Sequence, residues 1–424
     1  MQGNLNWAGV GIVVAAMVAV PSAPAFAQTN NSFSRTKNVA VRERPHPEYE
    51  PLGVRAGAFL VNPKLTTQVI HTDNLYGSNT NAKSASYLAL TPSVMVKSNW
   101  ARNEIALNAS TEFDRYAKVS EENSASWQLG ARGRLDVLRD ANITGGASAG
   151  HFVEQRTASS NPTASIKPIQ FDQRSAYLGA TRAFNRVRLT GSANRDNFSY
   201  DDGRTAAGAV ISQKFRERDI TVMTGRADYA LTPDTALFTK VTHNTNNFKT
   251  AVSGVDRDSK GAEFLVGANF QLTNVLRADI GVGWLKQDFK GAAFKDISGY
   301  SAGGTLEWFP TQITTVTLNT ERKLQDSGLV GSAGALATHF GGQVDHELLR
   351  NLILTGSVGR DKLNFVGLDR DDKRTTFGAS ATYLLNRGLG LTAGLSRMEQ
   401  SSKGLLKGGN FNVNKLSFGI VLVR

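Results

Sequence analysis

Apolar and polar side chains alternate along most of this chain with a period of two residues. Residues 375–385 show the pattern clearly, because Phe377 and Tyr383 fall on one face of an extended chain and Thr376 and Ser380 on the other. A period of two is the signature of β-strands that have one apolar face. The pattern predicts an all-β protein and leaves open what its apolar faces lie against.

Eighteen alternating runs, separated by turn residues, follow one another from residue 59 to the C-terminus, and most are 11 to 14 residues long. Strands of soluble proteins usually have about 5 or 6 residues, whereas a tilted strand that crosses a bilayer needs about 9 to 11. The length of the runs therefore favours strands that span a membrane. The runs are 59–72, 87–98, 104–116, 124–137, 143–155, 171–183, 187–199, 218–231, 236–247, 259–272, 275–288, 298–309, 313–323, 337–348, 352–362, 374–385, 389–398 and 410–424.

The connections between these runs alternate between long and short. Odd-numbered connections span 7 to 18 residues, as at 156–170 and 200–217, and even-numbered ones span 2 to 5, as at 310–312 and 386–388. Long loops at one rim and short turns at the other are typical of bacterial outer-membrane barrels. The sequence predicts a transmembrane antiparallel up-and-down β-barrel of about 18 strands, with 16 as the alternative and both termini in the periplasm.

A soluble sandwich of two sheets would give the same alternation, with the apolar faces packed together and the polar faces in water. The pattern by itself does not choose between the two. Strand length, loop asymmetry and an N-terminal leader favour the barrel, and only a closed sheet satisfies its backbone hydrogen bonds in lipid. The apolar faces are therefore expected to contact lipid tails, in the bacterial outer membrane.

The chain divides into three parts before any strand is considered in detail. Residues 1–27 combine an apolar run with the small-x-small site at 25–27, which predicts a signal peptide cleaved before Gln28, a membrane anchor being the alternative. Residues 28–53 are polar and rich in proline, which predicts a flexible periplasmic tail. Residues 54–424 are expected to form the barrel.

Two short stretches carry a family resemblance. VRERPHPEYEPLGVRAGAFLVNPKL at 41–65, followed by DNLYGS at 73–78, is similar to the N-terminal signature of outer-membrane β-barrel porins associated with exopolysaccharide biosynthesis clusters in proteobacteria. The resemblance implies an outer-membrane protein with a role in polysaccharide secretion or biofilm. It transfers no functional residues to this chain.

Composition adds limits on partners. The chain has no cysteine, a formal net charge of +12 and a pI of about 9.8. Such a charge would suit nucleic acid, but export and the barrel pattern argue against that partner. We expect contacts with outer-membrane lipids, with lipopolysaccharide phosphates and with a polysaccharide, and contacts of the tail with periplasmic secretion partners.

The polar faces carry charged residues in mid-strand, and these predict the lining of a pore. The opposed charges either set a transverse field across the pore or form salt-bridged ladders that stiffen its wall. The predicted pore-lining residues are Arg132, Arg134, Arg174, Arg182, Arg188, Arg226, Arg277, Glu104, Glu112, Asp114, Asp136, Asp228, Glu263, Asp279 and Glu307.

Catalytic and metal-binding patterns are scarce. His71 and His243, near the predicted outer rim, could pair with Asp73 as in omptin-like proteases, and the DRDD stretch at 369–372, in a predicted long loop, could bind a divalent cation. A solvated rim and a solvated acidic loop are the simpler interpretations. We expect no enzyme activity, no cofactor and no metal.

Three functions remain, in decreasing order of support. The first is a passive conduit for saccharide, most of all for an exopolysaccharide during secretion, since transport needs no catalytic residue. The second is a structural or adhesin-like barrel that retains polysaccharide at the cell surface. The third is an outer-membrane hydrolase.

Overall fold

The computed structural model describes residues 39–162, 164–251, 254–272 and 275–424, and eighteen long strands dominate it. The first nine strands are β1 (Phe59–Thr72), β2 (Ala85–Ser98), β3 (Glu104–Tyr116), β4 (Ser124–Leu138), β5 (Ala141–Val153), β6 (Gln170–Phe184), β7 (Val187–Tyr200), β8 (Arg218–Thr232) and β9 (Thr235–Phe248). The second nine are β10 (Ser259–Leu272), β11 (Leu276–Phe289), β12 (Ile297–Thr311), β13 (Thr314–Gln325), β14 (Gly334–Leu349), β15 (Leu352–Val366), β16 (Asp371–Leu384), β17 (Leu389–Lys403) and β18 (Phe411–Val423).

Each strand pairs antiparallel with the next strand in the chain, and the sheet closes on itself. The closing seam joins β1 to β18, with Lys64 opposite Val423 and Thr72 opposite Lys415. The prediction of a closed, 18-stranded antiparallel barrel is confirmed, and the predicted strand limits differ from the observed ones by a few residues.

The two rims of the barrel differ as the connections predict. Short turns such as 139–140, 185–186 and 350–351 lie at one rim, called the turn end, and long loops such as 154–169 and 201–217 lie at the other, called the loop end. One predicted long connection is wrong. Residues 363–373 were expected to form a loop, but β15 and β16 extend toward each other and leave only 367–370 between them.

One face of every strand is apolar and exposed on the outside of the barrel. Leu178, Val282 and Phe418, for example, expose 61%, 63% and 58% of their surface. The opposite face carries charged and polar side chains and surrounds the lumen. Exposed apolar side chains around a closed sheet are the arrangement that a surrounding lipid phase stabilises.

Shorter elements complete the structure. A three-residue strand, Val54–Ala56, pairs with the first residues of β1. Single 3-10 turns occur at Val41–Glu43, Ser120–Glu122 and Lys214–Arg216, and Gly203–Arg204 pairs with Val210–Ile211 in a small hairpin.

No helix in the described part of the chain is long and apolar enough to span a membrane. The predicted signal peptide, residues 1–27, lies outside the described residues, as does the first part of the predicted tail, 28–38.

Candidate functional site

The lumen is where the barrel places most of its charged side chains. Thirteen of the fifteen predicted pore-lining residues lie on the luminal face, since each shares cross-strand rows with polar residues of the neighbouring strands. They are Arg132, Arg134, Arg188, Arg226, Arg277, Glu104, Glu112, Asp114, Asp136, Asp228, Glu263, Asp279 and Glu307. Whether they line a conducting path stays a prediction.

Arg174 and Arg182 were assigned to the wrong face. They alternate with the luminal residues of β6 and share their face with Leu178, which is 61% exposed on the outside. The alternation does not identify the luminal face of β6, because both faces of this strand contain apolar residues. Phe171 and Tyr177 lie on the luminal face. Arg174 points outward near the loop end and Arg182 near the turn end.

One side of the lumen, formed by β7–β12 and called the ion-paired wall, is filled by salt bridges. Arg226 contacts Asp228 at 2.8 Å and Asp279 at 2.8 Å, and its guanidinium lies 3.7 Å from the centre of the Phe238 ring. Arg188 approaches Asp228, which is 1% exposed. Such a network orders the wall, because each buried charge has a partner of opposite sign.

Residues 39–53, called the inner segment, continue this wall at the turn end. Arg42 donates to Asp345 at 2.7 Å and Arg44 to Glu347 at 2.6 Å. The segment thus lies inside the barrel mouth, against β13 and β14. Its composition predicts a flexible tail and does not predict these contacts.

The opposite side of the lumen, formed by β17, β18 and β1–β4, is called the cavity wall. It borders a cavity of about 520 Å³ whose lining includes small hydroxyl side chains such as Thr91 and Ser110. On β1 the lining runs from Lys64 to Thr72, roughly 26 Å along the strand at about 3.3 Å per residue. On β2–β4 and β18 the lining is confined to the half of each strand nearer the loop end, so the cavity runs from the loop end to about the middle of the barrel.

Aromatic and charged groups are concentrated toward the loop end of this cavity. The rings of Tyr87 and Tyr116 stack with their centres 4.6 Å apart. Glu112, Asp114 and Lys415 line the same space. These side chains offer a flat apolar surface beside hydrogen-bond donors and acceptors, which suits a polar solute with an apolar face.

A long loop bounds the cavity on its inner side. Residues 154–169, called the crossing loop, leave β5 and reach the far wall, where Arg374 of β16 donates to the backbone oxygen of Thr157 at 2.7 Å. Gly328, whose φ is +62°, lets the 326–333 loop pass close to Ser160, because a Cβ there would collide with the Ser160 side chain. The crossing loop fills part of the lumen and leaves the cavity beside the cavity wall.

Comparisons with known proteins agree with this architecture. A model of the family described as "Putative beta-barrel porin 2" matches residues 46–424. The chain belongs to this family. A search of curated proteins gives no match for this porin.

Several solved bacterial structures resemble this fold. OpdL of Pseudomonas aeruginosa is 12% identical, with 86% of this porin and 98% of that chain covered and a TM-score of 0.44. OccAB3 of Acinetobacter baumannii is 13% identical, with 86% and 99% covered and a TM-score of 0.45. OpdK of P. aeruginosa, solved with vanillate, is 10% identical, with 86% and 99% covered and a TM-score of 0.44. At such identities the likeness concerns the fold alone.

The loops of this porin gather into a buried charged cluster at the loop end, called the loop cluster. Arg216, Arg218 and Arg257 are each 1% exposed. Arg216 contacts Glu154 of the crossing loop at 2.8 Å, and Arg218 contacts Asp326 at 3.1 Å. The cluster joins the loops that follow β5, β7, β9 and β13.

The electrostatics of the loop cluster follow from burial and from its excess of arginine. Burial by itself would raise the pKa of the Asp326 carboxyl, but Arg218 and Arg216 hold that pKa below its ordinary value. Burial lowers the pKa of Arg257 to about 10, and the attraction of Asp326 opposes this only in part. Asp326 therefore stays ionised at neutral pH and holds the arginines together.

The catalytic and metal hypotheses find no support in the geometry. His71 lies 2.9 Å from Ser86, Asp73 accepts hydrogen bonds from Asn414, and His243 is on β9, far around the barrel. The DRDD stretch is not a long loop, because its last two residues begin β16. Across the described ranges, no group of three or more His, Asp or Glu side chains could hold a metal ion.

Several lining residues were missed from the sequence. Lys64, Tyr87, Tyr116 and Lys415 all line the cavity. The alternation offered a signal for Lys415, which falls between the exposed Leu416 and the outward Asn414 and so belongs to the luminal face. No local signal identifies the crossing loop, because its partners are far away in the sequence.

Proposed function

We propose that this porin is a passive conduit for saccharide, and that its cargo is an exopolysaccharide during secretion. The observation that carries the proposal is the cavity along the cavity wall, with a stacked tyrosine pair beside carboxylate, ammonium and hydroxyl groups. Sugars present hydroxyl groups at their edges and C–H groups on their faces. Hydrogen-bonding side chains beside an aromatic surface match both features.

The narrowness of the cavity favours a cargo in an extended conformation. The crossing loop and the inner segment fill much of the lumen from its two ends, and the cavity that remains is about 520 Å³. A single saccharide chain in an extended conformation fits such a path. Selectivity would come from the width and the luminal charges, without a catalytic step. The resemblance of residues 41–65 and 73–78 to porins of exopolysaccharide clusters supports the same cargo.

Planar-bilayer conductance of the purified barrel tests the proposal. Steady conductance that is blocked in a concentration-dependent way by the exopolysaccharide of the cell that makes this porin is the expected result. Dextran of equal length serves as the neutral control polymer. A barrel that conducts and is indifferent to every polysaccharide would contradict the choice of cargo, and a barrel that conducts nothing would contradict the conduit.

The buried loop cluster favours one second candidate, a structural barrel that retains polymer at the surface, because tightly packed loops form a closed platform. Trimming residues 205–209, at the tip of the 201–217 loop, separates the two functions. Retention of polymer would be lost in the structural barrel, whereas block of conductance would persist in the conduit.

A further inference from the structure

The outside of the barrel carries a group of cations at the loop end that the pore does not use. Arg322 of β13, Arg360 and Lys362 of β15, and Lys373 of β16 point outward and are called the outer cation cluster. Within the strand registers, Arg322 is opposite Thr338, Thr338 is opposite Lys362, and Lys362 is opposite Lys373. Three of the four cations therefore lie in one row across neighbouring strands.

This arrangement is unfavourable unless an anion is present. Residues directly opposite each other on antiparallel strands have Cβ atoms about 4.5 to 5.5 Å apart, and like charges in such pairs repel. Lys362 and Lys373 form such a pair, and Arg360 lies two residues from Lys362 on the same face. In the part of the chain that the structure describes, no carboxylate forms an ion pair with any of the four.

Three other outward cations toward the same end have acidic partners. Arg195 contacts Asp219 at 3.2 Å, Lys286 contacts Asp288 at 2.7 Å, and Arg397 contacts Glu399 at 2.7 Å. The carboxylate nearest the cluster along β16, Asp371, accepts a hydrogen bond from Asn364 and stands opposite Lys403. Glu399, on the same outward face opposite Thr375, contacts Arg397, so neither neighbouring carboxylate forms an ion pair with the outer cation cluster.

The surroundings of the cluster fix the kind of anion. The Arg322 guanidinium lies 4.1 Å from the centre of the Tyr300 ring, which holds it in place at the surface. On the side toward the middle of the barrel, Phe340, Val358 and Phe377 are 58%, 46% and 46% exposed. Cations at the edge of an exposed apolar band are complementary to a lipid, because its anionic headgroup can contact the cations while its acyl chains contact the apolar band.

We propose that the outer cation cluster binds the phosphate groups of a lipid A-type phosphoglycolipid in the outer leaflet of the outer membrane. The loop end of such a barrel faces the cell exterior, so the cluster lies at the height of the outer headgroups. Arginine and lysine form short, charge-assisted hydrogen bonds to phosphate. A soluble phosphate could use the cations but would gain nothing from the apolar band. The inference rests on the membrane orientation and does not depend on whether saccharide passes through the lumen.

The test compares two variants that lose the same charge from the same face. The cluster variant carries Arg360→Gln, Lys362→Gln and Lys373→Gln. The control variant carries Arg195→Gln, Lys286→Gln and Arg397→Gln, where each wild-type cation has an acidic partner. Full-length mature barrel in a nonionic detergent is titrated with lipid A, with dephosphorylated lipid A and with inorganic phosphate. Bound lipid is measured by native mass spectrometry.

We expect the wild type and the control variant to bind lipid A with affinities within about twofold, and the cluster variant to bind at least about tenfold more weakly. Dephosphorylated lipid A should bind the wild type about tenfold more weakly than lipid A does. Equal binding by the cluster and control variants, or equal binding of the two lipids, overturns the proposal. Inorganic phosphate that competes with lipid A at equal concentration overturns the assignment to a lipid.

Folding of the variants is checked by heat-modifiable mobility on gels. Removing mutual repulsion should leave the cluster variant at least as well folded as the wild type. If the cluster variant fails to fold, the variant Lys362→Glu gives a second test. Its new carboxylate would pair with Lys373 and occupy the place of the bound anion. Lipid A binding should then fall about tenfold, and undiminished binding would overturn the proposal.

Discussion

The two walls of the lumen differ in how their charged side chains are surrounded. On the ion-paired wall, Arg226, Asp228 and Asp279 neutralise one another and occupy the space between strands. On the cavity wall, small side chains such as Ser110 stand beside Glu112 and leave a cavity of about 520 Å³. The difference teaches that luminal charges held in close ion pairs fill the space between strands, whereas charges set among small side chains leave that space open.

The comparison also accounts for how the lumen is narrowed. The inner segment and the loop cluster attach through ion pairs that involve β8, β13 and β14 or the loops next to them. The crossing loop anchors at Arg374, opposite its own strands. Arg156 of the same loop contacts Glu122 at 2.7 Å, and both side chains line the cavity, so the loop also borders the cavity wall.

The largest expected effect is a loss of folding stability when the ion-paired wall is disrupted. Asp228→Ala removes the buried carboxylate that Arg226 and Arg188 share, and the loss of one member of a buried pair costs about 3 to 5 kcal/mol. Urea unfolding of the barrel in lipid vesicles, followed by tryptophan fluorescence, measures the change. Asp114→Ala on the cavity wall is the control and should cost less than about 1 kcal/mol. Equal losses for both variants would falsify the distinction between the walls.

The next effect concerns the loop cluster, which extends the ion-paired wall beyond the strands. Asp326→Asn removes the carboxylate that Arg218 and Arg216 share, at an expected cost of about 2 to 3 kcal/mol to loop packing. Protease protection of the loops reports the change. Asp296→Asn, in a neighbouring loop, is the control and should leave protection unaltered.

The same carboxylate sets a pH dependence. Because the pKa of Asp326 is lowered in the folded state, its contribution is fully present above the pKa of the unfolded chain, about 4, and is lost as the pH falls through the lower folded value. Protection of the loops should persist at pH 5 and above and decline only in stronger acid. Loops that open between about pH 5 and 7 would show that another group controls them.

A third substitution tests whether ions pass along the cavity wall. Ser110→Trp places a large ring in the cavity and should lower single-channel conductance by about half, with little change in stability. Ser192→Trp makes the same substitution on the luminal face of β7, on the ion-paired wall, and serves as the control. If Ser192→Trp lowers conductance as much, the path does not follow the cavity wall.

The smallest effect is expected at the inner segment. Arg42→Ala removes the contact with Asp345, and because Arg42 is partly exposed the cost should be about 1 kcal/mol. Faster cleavage of residues 39–53 by a protease added at the turn end would show the release of the segment. Arg55→Ala, an exposed position nearby, should leave the cleavage rate as in the wild type.

The strands were predictable from sequence for a physical reason. Every strand faces an apolar exterior and a polar lumen, so the alternation repeats from β1 to β18 and marks each strand directly. The face assignment failed at Arg174 and Arg182, where aromatic residues on the luminal face of β6 blur the contrast. Strand positions depend on local pattern, and local pattern is what a single sequence contains.

The filling of the lumen was not predictable in the same way. The pairs Arg42 with Asp345 and Arg374 with Thr157 join residues that are 303 and 217 positions apart. Such contacts depend on which walls face each other across the lumen, and alternation along a strand carries no information about that. The charges at these positions could be recognised, but their partners could not.

The seam between β1 and β18 constrains how the barrel is made. Its two strands stand at opposite ends of the barrel-forming sequence, so the wall has no complete circumference until the last residues of the chain have been synthesised and delivered. Until then the nascent sheet has two unpaired edges, each of which is a template for pairing with a foreign strand. A chain truncated before Phe411 lacks the strand that closes the sheet, and we expect it to be a substrate for proteolysis rather than a smaller barrel.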